Sequence, residues 1–167
     1  MNNDRLIISN IIEQRRLETA PDISETKYFE LFCATEILKD YDLSYDEINS
    51  GIIGGGNDGG IDAIHIFLNG ELVQEDTDFL TFVRKRRNQI EIKIVQAKKT
   101  NGFSDNAMNR LITSIEELFD LTRLLDSLTT AYDRDILAVI SRFREIYNSI
   151  ISSFPDISFK FYYATLG

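Results

Sequence analysis

Two strand-like stretches of the chain end their apolar rows on polar side chains. In Ile61-Asp62-Ala63-Ile64-His65-Ile66-Phe67-Leu68, extended backbone places residues two apart on one face, so Asp62 heads a row completed by Ile64, Ile66 and Leu68. From Ile90 to Lys98 the row Ile90, Ile92, Ile94 finishes on an amide and an ammonium, Gln96 and Lys98. A carboxylate at the rim of a core has to be ion-paired, hydrogen-bonded or bound to a cation. The plainer outcomes are that Asp62 caps the amides of Gly59 and Gly60, and that Lys98 snorkels to solvent.

Other reactive side chains are few. The single histidine, His65, falls on the face opposite Asp62, and the single cysteine, Cys33, sits in an apolar helix as a small core residue. One of each argues against a zinc site, a disulfide framework and a conventional catalytic triad. Six of the nine glycines fall between Gly51 and Gly60, and Gly54 to Gly59 matches G-x-G-x-x-G on paper. That run precedes a strand instead of opening a helix, so a nucleotide loop is disfavoured. Asn57-Asp58-Gly59 is turn chemistry. Two helical carboxylates, Glu30 and Glu36, both fall among apolar neighbours at 100° per residue, and periodicity does not choose between them.

The elements that position these groups follow from spacing and caps. A helix is predicted from about Asp4 to Ala20, punctuated by Pro21, and a second, largely apolar one from the cap Ser24 to about Tyr41. Ser44 and Glu47 have capping-box spacing. The Ile61–Leu68 strand turns at Asn69-Gly70 into a hairpin returning through Glu71-Leu72-Val73. The polar segment from Gln74 to Gln89 carries no assignable element. After the strand at 90–98, helices are predicted from Ser104 to about Leu128 and from about Arg134 to Ile151, and a last strand from Ile157 to Ala164. The order implies an α/β sandwich around a mixed sheet. The chain of 167 residues suits one domain. Because it stops at Leu166-Gly167 directly after an apolar strand, a fragment of a longer protein is expected.

The formal charge is −9, which argues against tight, unselective binding to nucleic acid. The charge is unevenly spread. Residues 1–62 carry a net −8 and residues 100–167 a net −3, whereas residues 63–99 carry +2. That basic stretch holds Arg84, Lys85, Arg86, Arg87, Lys93, Lys98 and Lys99. No run approaches the ~18 apolar residues of a membrane span, and the N-terminus lacks the pattern of a secretory signal, so a cytoplasmic protein is expected.

Phe29-Glu30 on a helix, then Gly59-Gly60-Ile61-Asp62-Ala63, then Val95-Gln96-Ala97-Lys98 resembles the PD-(D/E)XK nuclease superfamily, in its Mrr-like branch with Gln-x-Lys. The wider run, Asn57 to Ala63, the Asn69-Gly70 hairpin, Gln96-Ala97-Lys98 and Asn101-Gly102-Phe103-Ser104, is similar to the N-terminal region of the AIPR proteins, abortive infection phage resistance proteins of bacteria. The resemblance spans about Ser24 to Leu128. It implies a restriction-endonuclease-like α-β-β-β-α-β core, with a mixed sheet flanked by helices, and a Mg²⁺-dependent endonuclease, Mn²⁺ serving as an alternative. The substrate would be DNA ahead of RNA, and a homodimer and a C-terminal continuation would be compatible partners. Asp62, Glu30 and Gln96 would hold the metal, and Lys98 would be the catalytic lysine. Lys99 and Arg84 to Arg87 would contact nucleic acid. Gln96 replaces an acid, so a catalytically inactive binding or sensing module is the alternative.

Overall fold

The computed structural model describes residues 3–100 and 102–166. Helix α1 (Asn3–Thr19) lies against α2 (Glu25–Leu38), whose Ser24 cap accepts from the Lys27 amide. The capping box forms as the spacing predicts, Ser44 and Glu47 exchanging bonds at the start of α3 (Tyr45–Asn49). Strand β1 (Ala63–Leu68) turns through Asn69 and Gly70, both at positive φ, into the two-residue strand β2 (Glu71–Leu72). Then come β3 (Gln89–Lys98), α4 (Asp105–Leu118), α5 (Arg134–Ile150) and β4 (Asp156–Thr165). The sheet runs β2-β1-β3-β4; β1 is antiparallel to both neighbours and β3 is parallel to β4. It is a mixed sheet with helices on both faces.

Strand alternation divides the core in two. Ile64, Ile66, Ile90, Ile92 and Ile94 pack against Leu111 and Leu118 of α4 and Ile136, Ile140 and Phe143 of α5. The intervening residues Ala63, Phe67, Val95 and Ala97 pack against Phe29, Leu31, Ala34 and Leu38 of α2. Among the described residues no helix is long and apolar enough to cross a membrane.

Three expectations change. The second helix tightens into a 3-10 turn at Lys39–Tyr41 and is stopped by Asp42 at φ 52°. The helix expected to reach Leu128 ends at Leu118, because the Asp120 carboxylate captures the amide and hydroxyl of Thr122 and offers the backbone a turn instead. Leu121 and Leu124, beyond that stop, are exposed. The segment from Gln74 to Gln89 is ordered around a 3-10 turn, Phe79–Phe82, which buries Phe79. Arg142 of α5 donates to the carbonyls of Gln74, Glu75 and Thr77, and the buried Asn88 amide bonds both backbone groups of Arg84.

His65 packs on the α2 face of the sheet, only 2% exposed, beneath Gly51, where a Cβ would come within 2.3 Å of the imidazole. Its Nε2 donates to the Ile48 carbonyl at 2.8 Å, which fixes the neutral tautomer. Burial pushes its pKa down to about 4. Since this is the only histidine in the chain, imidazole NMR resonances report on it alone. They should stay those of neutral histidine from pH 7 until the solution approaches pH 4; titration near 6.5 would place the ring in solvent.

Candidate functional site

The glycine-rich loop is shaped to deliver Asp62. Asn57, Gly59 and Gly60 all take positive φ, and Asp58 Oδ1 accepts the Gly60 amide at 2.7 Å. The carboxylate that accepts the Gly60 amide is thus Asp58, not Asp62. A Cβ at Gly60 would sit 2.8 Å from Gln96 Nε2, and one at Gly59 would sit 2.6 Å from Ser114 Oγ. Only glycine lets the loop lie this closely on β3 and α4.

Asp62 enters just before β1, 5% exposed. Its Oδ2 accepts the Ala97 amide at 2.7 Å and stands 3.7 Å from Lys98 Nζ. Burial lifts its pKa, with the Ala97 amide and Lys98 pulling the other way. Helix α2 brings Glu30 into the same cluster. Burial, and next the charge of Asp62, push its pKa up to about 7, opposed by Lys98 and Lys27. Glu36 instead lies on the exposed side of α2, 3.9 Å from Arg15, so tertiary packing settles what helical periodicity left open.

Gln96 is 1% exposed, yet its Oε1 has no partner among the described residues. Its ladder partner Tyr163 has a buried hydroxyl in the same condition. Two unmet polar atoms on one cross-strand pair are uncommon in a protein interior, where such groups find a partner, water or an ion. Among the described residues, no three His, Cys, Asp or Glu side chains gather as a metal cluster; two carboxylates, Asp62 and Glu30, interact here, and the Gln96 amide lies against Gly60 of the same loop.

The predicted nucleic-acid contacts separate. Lys99 lies near this end, paired with Glu25 at 2.6 Å. Arg84, Lys85, Arg86 and Arg87 sit before Gln89, at the opposite end of β3, roughly 30 Å away at the usual rise per residue. They do not join the site. Two cations that sequence reasoning missed do border it. Lys27 donates to the Gly54 carbonyl and acts on Glu30, and Arg110 of α4 stands 3.7 Å from Asp58. Lys27 carried a signal, since it precedes Glu30 by one helical turn; Arg110 carried none, because only the packing of α4 brings it here. Asn101 lies outside the described residues, as do Met1, Asn2 and Gly167.

A cavity of about 810 Å³ opens elsewhere, between the Ser50–Ile53 segment, β1 and α5, and none of Glu30, Asp62, Gln96 or Lys98 lines it. No protein-family model, curated protein or solved structure matches the chain.

The raised pKa of Glu30 has a stability consequence of definite sign. A carboxyl whose folded pKa lies above its unfolded one stabilises the fold while protonated, and that contribution is lost as pH rises through the folded value. Glu30→Gln should therefore raise the melting temperature at about pH 8, where Glu30 is ionised beside Asp62, and do so much less at about pH 5.5. Thermal melts of both proteins at the two pH values check this; an equal effect at both would mean Glu30 is not perturbed.

Proposed function

We propose that this chain is a metal-dependent phosphodiesterase domain of restriction-endonuclease-like type, cutting DNA ahead of RNA. Its setting would be bacterial anti-phage defence, in the cytoplasm. The observation that carries the reading is the gathering of Asp62, Glu30 and Lys98 into one charge-coupled cluster at a sheet end. The order α2, α3, β1, β2, β3, α4, α5, β4, with β4 parallel to β3, supports the α-β-β-β-α-β reading with α3 and α5 as added helices.

The donor set fits a hard cation. Mg²⁺ and Mn²⁺ favour oxygen ligands, and Asp62, Glu30 and the orphaned Gln96 Oε1 offer only those. A bound ion would polarise the scissile phosphate and acidify a water. The chain's own groups divide the remaining work. Lys98 Nζ, held near Asp62 Oδ2, orients the attacking water and offsets charge developing on the phosphate oxygens. Glu30, with a pKa of about 7, can take up or release a proton at neutral pH. Asp62 keeps its charge directed by the Ala97 amide. Gln96 contributes no charge, and that neutrality favours the second reading, a nuclease-like module that binds or senses nucleic acid without cutting it.

Cleavage of labelled DNA and RNA in Mg²⁺ by the native protein, Lys98→Ala and Asp62→Asn, each with native-like melting, decides between them. The expected result is cutting by the native protein and a loss of at least about a hundredfold in each variant. Equal rates for all three would overturn the enzymatic reading; retained, salt-sensitive binding would then leave the sensing module.

A further inference from the structure

The loop that leaves β3 exposes one aromatic ring at the site. Phe103, just before the Ser104 cap of α4, is 73% exposed. Its ring leans on that of Tyr163, with centroids 5.1 Å apart and planes tilted by 55°. Tyr163 is the ladder partner of Gln96, and Lys98 follows two residues later on the same face of β3. The aromatic pair therefore borders the end of the sheet where Lys98 meets Asp62. Core packing does not account for Phe103, since most of its ring faces water. Phe154 is still more exposed, at 90%, but it stands before the Asp156–Gln89 pair at the far end of the sheet.

The charges around Phe103 complete a pattern. Lys98, Arg110 and Lys27 lie at the same end of the molecule, each beside a group of the site. A nucleic-acid strand presents phosphates and base faces in alternation, and cations next to an exposed aromatic ring answer both. Inside a duplex each base is already stacked on both faces, so a protruding ring gains a stacking partner only where bases are unpaired.

We propose that Phe103, backed by Tyr163, is a stacking platform for an unpaired base adjoining the phosphate at Lys98, so that the preferred substrate is single-stranded nucleic acid. This rests on the phosphodiesterase reading of the same site. Stacking of this kind tolerates any base, so it selects strandedness rather than sequence.

Fluorescence of single-stranded DNA and RNA oligonucleotides containing 2-aminopurine tests the platform without cleavage, in EDTA at low salt. The native protein should quench the fluorophore on binding and hold the single strand more tightly than a duplex of the same sequence. Phe103→Ala should lose the quench and about tenfold in affinity, while Phe103→Trp keeps both. The DNA and RNA arms tell which backbone is preferred. Equal quenching and affinity in Phe103→Ala, preference for the duplex, or no binding by the native protein would each overturn the platform. Quenching by a protein that cuts nothing in Mg²⁺ upholds the platform and defeats the enzymatic reading; cutting with no effect of Phe103→Ala on single-strand binding does the reverse.

Discussion

The bond from the Ala97 amide to the buried Asp62 carboxylate, 2.7 Å long, sets the conditions for everything around it. An ionised carboxylate taken out of water costs several kcal/mol unless its oxygens are met. Here one oxygen takes a β3 amide and stands near Lys98. This ties the approach to β1 onto the end of β3, one step beyond the last paired residues, Ala63 and Val95. The loop before Asp62 must then turn within Asn57–Gly60, which requires left-handed backbone and leaves no room for a side chain at Gly60 over Gln96. The raised pKa of Glu30, owed first to its own burial, is lifted further by the same buried charge.

β3 carries two buried polar clusters on its two faces, and they contrast. On the α2 face, Lys93 lies 4.1 Å above the Tyr41 ring and 3.8 Å from Glu91, which also takes Tyr41 and Lys160. Each charge there has an opposite charge or an aromatic face against it, as a structural cluster requires. Lys93 therefore belongs to the interior, although by sequence it counts toward the basic stretch. On the other face, Gln96 and Tyr163 keep unmet atoms. The first cluster pairs its charges, though Ser158 Oγ opposite Glu91 is also unmet; the second leaves an amide oxygen and a hydroxyl without partners among the described residues.

What was legible in the sequence was what local geometry dictates. Ser24, Ser44 and Ser104 cap helices because their side chains reach amides three residues on. The alternation that set Asp62, Gln96 and Lys98 at the ends of apolar rows reflects the pleat itself. What escaped depends on distant partners. Asp120 stops α4 against a continuing apolar stripe, and Arg142 organises the 74–89 segment from a helix 65 or more residues away. The Arg84–Arg87 run looked close to Lys98 within one basic stretch, but a strand of ten residues keeps them at opposite ends of the sheet. Choosing Glu30 over Glu36 needed the side of α2 that meets the sheet.

With Asp62 facing Lys98 and Glu30 near half-protonation at neutral pH, the resting site holds little net charge. Lys98 and the partial proton on Glu30 together let the two acids lie side by side in the folded chain. Any cation that came to rest against Glu30 would have to expel its proton. Binding of a cation there would thus be a proton exchange, and a drop in pH would compete with the ion for the same oxygen atoms.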